Sequence, residues 1–331
     1  MREPAFWWHS GTGKLLAPLG ALYGAVAARR LEADGKSAGV PVICLGNPTV
    51  GGAGKTPAAL AVAHLLLAVR ERPVFLSRGY GGRLRGPVRV DPSFHRARDV
   101  GDEPLLLARL APTIVARDRV AGAKAARSGS ATVIVMDDGF QNPSLKKDLA
   151  ILLIDGTRGI GNGRIIPAGP LRAPLESQIA HAQAVVFVGP AVNADRVAVI
   201  ARRYDIAVFR GRLAPDRGTL DALGGHKVLA FAGIGNPDKF FLTLTDAGIA
   251  VAERASFADH QRYTAAQANE LVARADAKSL MLITTEKDHV RLAGDPALAA
   301  LAARAVALPV RLIVEEAEAF RQLVLSVVKR P

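Results

Sequence analysis

The segment 46–57, GNPTVGGAGKTP, constrains this chain more than any other. It follows the apolar, β-rich run VPVICLG (40–46) and precedes the Ala/Leu-rich run AALAVAHLLLAVR (58–70). A glycine-rich turn between a buried strand and a helix is the setting of a phosphate-binding loop. Gly54, Lys55 and Thr56 fill the last three places of the usual G-x-x-x-x-G-K-[ST] pattern, but Thr49 stands where the first glycine belongs. The doubled glycine Gly51–Gly52 supplies flexibility nearby. Backbone N–H groups of such a turn close around phosphate oxygens, and the helix N-terminus adds partial positive charge. The expected phosphate-binding set is therefore Thr49, Val50, Gly51, Gly52, Ala53, Gly54, Lys55 and Thr56. Lys55 reaches the β- and γ-phosphates of a nucleotide, and the Thr56 hydroxyl ligates Mg²⁺. Pro57 suits a first helical turn.

A loop of this kind needs an α/β sheet around it, and the rest of the chain reads as one. Apolar strands alternate with Ala/Leu-rich helical runs. Strand-like blocks at 73–83, 113–119, 132–142, 149–174 and 184–189 each end in polar or Gly/Arg-rich residues. Ligands of open α/β sheets bind beyond the carboxyl ends of strands, so these loops are expected to share one site. The stretch 206-IAVFRGRLAP-215 reads as an extended linker, and a second, smaller α/β unit follows. The expected division is an N-terminal helix at 1–30, a core domain at 31–205, a linker at 206–222 and the smaller domain at 223–331. With 331 residues, 50% of them hydrophobic, the chain can bury one large or two modest cores. Its single cysteine, Cys44, excludes an internal disulfide framework and points to a reducing compartment.

The net charge of +13 favours anionic partners. Residues 70–127 alone hold 13 Lys/Arg against 6 Asp/Glu. Aromatics at 5% speak against stacking platforms for single-stranded nucleic acid. At the N-terminus both tryptophans, Trp7 and Trp8, precede an uncharged run from Leu15 to Ala28. The run is flanked by Lys14 and by Arg29 and Arg30, and it is too short to span a bilayer comfortably. Two readings stand: a helix lying in a membrane interface, or an amphipathic helix packed on the core.

Four groups of polar residues draw interest. Asp137 and Asp138 end the strand VIVM, where an acidic residue positions Mg²⁺ beside a phosphate loop, or simply caps a turn. Which of the two faces a metal is open. Asp102 and Glu103 precede Pro104 and a Leu-rich run, which by composition is an acidic helix start. His260 follows Asp259 in a loop, and Lys287 with Asp288 follows a strand in a stretch that also reads as a surface salt-bridged turn.

Taken together, GNPTVGGAGKTP, SRGYGG, GDEPLLLA, VARDR, MDDGFQ, GNGRIIPAGPLR, FAGIGNPDKFF, the ADH element at 258–260 and TTEKD resemble the tetraacyldisaccharide 4'-kinase family of lipid A synthesis over nearly the whole chain. The resemblance implies a P-loop NTPase-like α/β/α core joined by an extended linker to a smaller α/β domain, with an N-terminal membrane-interface helix. It implies ATP and Mg²⁺ as cofactors, and transfer of the γ-phosphate to the 4'-hydroxyl of an acylated glucosamine disaccharide 1-phosphate. The family's catalytic aspartate falls on Asp102 and its partner histidine on His260. Thr56 with Asp138 or Asp137 would hold the metal. Arg78, Tyr80, Gly81, Arg117, Arg119 and Arg172 fall in the expected substrate-binding loops. Where such sequences often read F-P-D-H-H, this chain has Phe257–Ala258–Asp259–His260–Gln261. The expected partners are the lipid substrate and a membrane surface, with neither nucleic acid nor an obligate protein partner. The implied location is peripheral, on the cytoplasmic face of the inner membrane. Two rivals are a P-loop NTPase that switches partners, which would want a switch element or a metal-ligand cluster, and a basic nucleic-acid binder, which would show a steep salt dependence.

Overall fold

The computed structural model describes residues 4–8 and 12–328. Its first sheet contains β1 (Val42–Gly46), β2 (Pro73–Ser77), β3 (Val88–Arg89), β4 (Thr113–Val115), β5 (Val133–Asp137), β6 (Leu149–Asp155), β7 (Ala184–Val188) and β8 (Ala207–Pro215). A second, four-stranded parallel sheet contains β9 (Lys227–Ala232), β10 (Ala250–Ser256), β11 (Met281–Thr285) and β12 (Ala305–Leu308) in the order β10-β9-β11-β12. The last strand, β13 (Val310–Val314), returns to the first sheet. That sheet runs β13-β8-β7-β6-β1-β5-β2-β4-β3, parallel except at its two edges.

β1 lies in the middle of the first sheet, between β5 and β6. All five of its residues are buried, and they alternate as strand geometry requires. Val42 and Cys44 face one layer, with the helices Arg119–Ser128, Leu175–Ala180 and Asp195–Arg203. Ile43 and Leu45 face the other, with α2 (Lys55–Ala68) and the helix Ala317–Ser326. Burial pushes the Cys44 thiol up to about 12, so it is an inert core residue. Helices on both faces make the expected α/β/α sandwich, and the continuous apolar runs of β1, β5, β6 and β7 follow from it.

The segment 206–222 is corrected by the structure. Ala207–Pro215 is a full strand beside β7, and Arg217–Leu223 is a helix. Phe209 and Gly211 are buried while Val208, Arg210 and Arg212 are exposed, a period-two pattern that the Arg and Gly content disguised. The second unit is likewise shorter than 223–331. The chain leaves the first sheet at Pro215 and re-enters at its register partner Val310, so residues 310–328 pack on the first domain. At this double crossing the N–H of Asp216 donates to the Pro309 carbonyl at 2.9 Å.

Of the N-terminal segment expected at 1–30, residues 1–3 and 9–11 lie outside the described ones. The helix itself, α1, is Ala17–Leu31. Its buried residues are Gly20 and Gly24, one turn apart. A Cβ on Gly20 would stand 2.8 Å from the Ile165 carbonyl, and one on Gly24 2.5 Å from Ile165 Cδ1. The two glycines therefore allow α1 to lie directly on the 162–172 loop. The opposite side of the segment exposes Leu15, Leu19, Leu22, Tyr23 and Val26. One stripe thus packs on the protein, as the second sequence reading expects, and the other is bare. No helix among the described residues is long and apolar enough to cross a membrane.

Candidate active site

The glycine-rich loop sits at the carboxyl end of β1 and runs into α2, as anticipated. Gly51 and Gly54 have φ of 107° and 80°, a left-handed backbone that other residues resist. A Cβ on Gly52 would meet nothing within 4 Å, so that side of the loop is open. Thr49, in place of the first glycine, is buried and bridged antiparallel to Leu171. Val50 donates its N–H to the Pro170 carbonyl at 2.8 Å, so this amide is already committed. Thr49 and Val50 thus brace the loop, and the open part of the expected phosphate-binding set narrows to Gly51–Thr56. Further bracing comes from residues that sequence reasoning missed. Gln141 donates to the Asn47 carbonyl at 2.9 Å, and Gln178 donates to the Pro48 carbonyl at 3.2 Å. Asn47 is fully buried; its side-chain amide donates to the Gly51 carbonyl, and its Oδ1 accepts from Lys55 at 3.1 Å.

Lys55 also stands 3.9 Å from Asp138. Arg172 pairs with Asp138 at 2.9 Å and donates through Nε to the Thr49 carbonyl at 3.1 Å. Burial pushes Asp138 up, but Lys55 and Arg172 outweigh it and hold the carboxyl below its ordinary range. Asp137 is the opposite case. It is 1% exposed, and among the described residues neither of its oxygens has a hydrogen-bond partner. Burial, with Glu103 and Asp138 adding like charge, pushes it up to about 7. The hydroxyl of Thr56 is also buried and has no partner among the described residues. These three orphaned oxygens, on two residues, are what a hard cation would satisfy. Among the described residues no group of three or more His, Cys, Asp or Glu could hold a metal alone. An Mg²⁺ that takes most of its ligands from phosphate and water does not need one.

Asp137, Asp138, Arg78, Tyr80, Arg117, Arg119 and Arg172 line one cavity of about 390 Å³, joined by Arg30 from α1 and by Glu103. Arg119 is 2% exposed, and its Nη1 donates to the Ala116 carbonyl at 3.1 Å. Burial pulls its pKa down, partly offset by the Cys44 thiol and by Asp137 and Asp138. The position of Arg30, on a helix that reads as a membrane element, carried no sequence signal for this cavity.

Asp102, His260 and Gly81 line a second, smaller cavity of about 200 Å³, and Tyr80 belongs to both. His260 lies against Tyr80 edge-to-face at 5.1 Å. Its Nδ1 stands 3.2 Å from Asp102 Oδ2, so the sequence-predicted pair meets across the two domains. Burial pushes Asp102 up, but the hydrogen bond from His260 and the charges of Arg291 and Lys287 hold it well below the usual carboxylate range. Asp102 starts the helix Asp102–Leu107, so the acidic helix start is real as well. The 284–292 stretch is not a surface turn. Lys287 pairs with Glu103 at 2.6 Å, and Arg291 donates to Asp102 through Nε at 2.8 Å. Arg291 was invisible in the sequence because nothing local marks its partner, 189 residues away.

A model of the tetraacyldisaccharide-1-P 4'-kinase family matches residues 12–329. A tetraacyldisaccharide 4'-kinase of Rhodopseudomonas palustris (strain BisB18) is 54% identical over 328 residues, covering 98% of this chain and 96% of that protein. One from Nitrobacter winogradskyi is 51% identical over the same length, covering 98% and 97%. The crystal structure of LpxK from Aquifex aeolicus in complex with ATP superposes with a TM-score of 0.75 at 28% identity, covering 96% of this chain and 99% of that one.

Proposed function

This chain belongs to the tetraacyldisaccharide-1-P 4'-kinase family, and from that premise we propose how its own residues carry out the transfer. It is an ATP-dependent kinase whose acceptor is the 4' position of an acylated disaccharide 1-phosphate, the precursor of lipid A. The observation that carries the residue-level reading is the placement of two chemical half-sites in adjoining cavities that share Tyr80. One half-site is the cavity with Asp137 and Asp138, which the phosphate loop meets through Lys55, 3.9 Å from Asp138; the other holds Asp102 and His260.

In this reading the amides of Gly51–Thr56 and the Lys55 ammonium take the triphosphate. Thr56 and Asp137 would hold Mg²⁺, because they are the orphaned oxygens; when bound, it neutralises phosphate charge. Asp138 stays with Arg172, and together they tie the phosphate loop to the 162–172 loop. Asp102 receives the proton of the 4'-hydroxyl. Its Oδ2 is occupied by Arg291 and His260, and its Oδ1 accepts only the Glu103 N–H among the described contacts, which leaves Oδ1 for the sugar. A carboxylate held this firmly ionised is a weak base, but a loose phosphoryl-transfer transition state asks chiefly for orientation of the nucleophile. Arg78, Arg117 and Arg119 surround the transferring group with positive charge.

The bare stripe of α1 supports a further element of the proposal: peripheral attachment to the cytoplasmic face of the inner membrane. Leu15, Leu19, Leu22 and Tyr23 would enter the interface, with Arg29 near anionic headgroups. The test of function is a transfer assay with Mg-ATP and tetraacyldisaccharide 1-phosphate in detergent. The expected product carries one added phosphate on the distal sugar, and Asp102→Ala abolishes it while still binding ATP. ATP hydrolysis without lipid product would overturn the reading in favour of an NTPase switch.

A further inference from the structure

The second domain touches Asp102 with more than His260. Arg291 lies on the helix Glu286–Leu292, and its side chain is 5% exposed against 4% for Asp102. Its Nε and Nη2 both donate to Asp102 Oδ2. On its other edge Nη1 donates to Asp288 Oδ1 at 2.8 Å and to the Gly233 carbonyl at 2.6 Å. The planar fork therefore spans two buried carboxylates, which a lysine cannot do.

The far side of that fork is itself fixed. Asp288 is fully buried and accepts on Oδ1 from the Gly233 N–H at 3.0 Å and from the Tyr263 hydroxyl at 2.8 Å. Its Oδ2 accepts from the Thr285 hydroxyl at 2.6 Å. The Gly233 carbonyl that takes Arg291 also accepts the backbone N–H of His260, at 3.2 Å. A Cβ on Gly233 would stand 3.0 Å from Asp288 Oδ1 and 3.2 Å from the Ala258 carbonyl, so the position is filled to its limit. One peptide unit thus sets both groups that meet Asp102. The chain segments FAG (231–233), ADH (258–260) and TTEKDHVR (284–291) converge on it.

We propose that Arg291 is the positioning residue of Asp102, presented by a Gly233–Asp288 template that presents His260 in the same step. With Oδ2 held by a fork and an imidazole, the carboxylate cannot rotate about its terminal bond, and Oδ1 is aimed at the acceptor. Because template and carboxylate belong to different domains, the aim is correct only when the domains are in register. A second pair, Lys287 with Glu103, joins the same two helices one turn away and keeps that register.

The inference rests on Asp102 as the acceptor-site carboxylate, so the test measures Arg291→Ala, Arg291→Lys and Asp102→Asn of the full chain in parallel. Reaction rates are read with the lipid acceptor, and nucleotide affinity with ADP. Arg291→Ala is expected to lose about 10²-fold in kcat, as for a misplaced reacting group, with the Kd for ADP unchanged. Guanidinium ion at non-denaturing concentration should restore part of the kcat of Arg291→Ala and none of that of Asp102→Asn. If Arg291→Ala does not fold, Arg291→Lys carries the test: lowered kcat with intact ADP affinity supports the proposal. Near-normal kcat in the Arg291 variant beside an inactive Asp102→Asn overturns it, as does joint loss of turnover and ADP binding without rescue. A fully active Asp102→Asn would instead overturn the assignment of Asp102 itself.

Discussion

The charge on His260 is set by Asp102, and that coupling leaves a trace in stability. Burial pulls the imidazole down, but the hydrogen bond and charge of Asp102 raise it above its ordinary 6.5. The folded protein therefore binds this proton more tightly than the unfolded chain does. Its contribution is fully present below about pH 6.5 and is lost as pH rises through the raised value. The matching loss for Asp102, whose carboxyl is depressed, occurs only at acid pH below its ordinary range. Asp102→Asn removes the coupling, so the melting-temperature difference between wild type and variant should shrink as pH rises from about 6 to about 9. Parallel curves across that window would show that the pair is not linked in solution. In the sequence Asp102 is an ordinary helix-start carboxylate, and nothing near it marks the chemistry. Only the family resemblance singled it out, because its partners His260 and Arg291 arrive from another domain. Asp137 and Asp138 were legible as a pair, yet only burial and hydrogen-bond partners tell the orphaned carboxylate from the paired one.

α1 shows what pattern can and cannot say at the level of an element. Its apolar run and basic flanks are plain in the sequence, but the docking side is a pair of glycines, which no hydrophobic pattern reveals. The exposed stripe is the part that a membrane can read. Replacing Leu15, Leu19 and Leu22 together by Gln should remove about 1 kcal/mol each and lower partition onto anionic vesicles about a hundredfold. Flotation with such vesicles measures this directly, and kcat on detergent-dispersed acceptor should stay at the wild-type level. Equal flotation of both proteins would assign the stripe to something other than lipid. Gly20→Leu tests the opposite stripe. With a Cβ already 2.8 Å from the Ile165 backbone carbonyl, the longer side chain must push α1 off its loop, and Arg30 moves with it away from the phosphate cavity. The expected result is a raised KM for the lipid together with a lower melting temperature. β8 carries the complementary lesson. Its alternation was there to be counted, but arginines on the exposed side and a glycine on the buried one made a strand look like a tether.

For the whole molecule, ligand linkage gives the broadest check. A nucleotide that binds only the folded state stabilises it by about 2.7 kcal/mol at a hundred times its Kd. Mg-ATP should therefore raise the melting temperature of the wild type and leave that of Lys55→Ala almost unmoved. A shift of equal size in both would place the nucleotide elsewhere. The α/β class and the alternation of elements were legible because buried parallel strands announce themselves as apolar runs. The nesting of one unit inside the other was not, because it depends on Val314 and its neighbours pairing with strand residues about a hundred positions earlier.

That nesting orders events during synthesis. β8 leaves the ribosome long before β13, and the whole of 216–309 is made in between. The intervening unit has its own sheet and core, so it can fold while β8 still has a bare edge. The first domain closes only when the final strand and helix emerge. A messenger truncated after residue 309 would yield a chain with a finished insert and an unsealed outer one, its Phe209 row open to pairing with other nascent chains. For this fold, the outer unit is sealed only by residues 310–328.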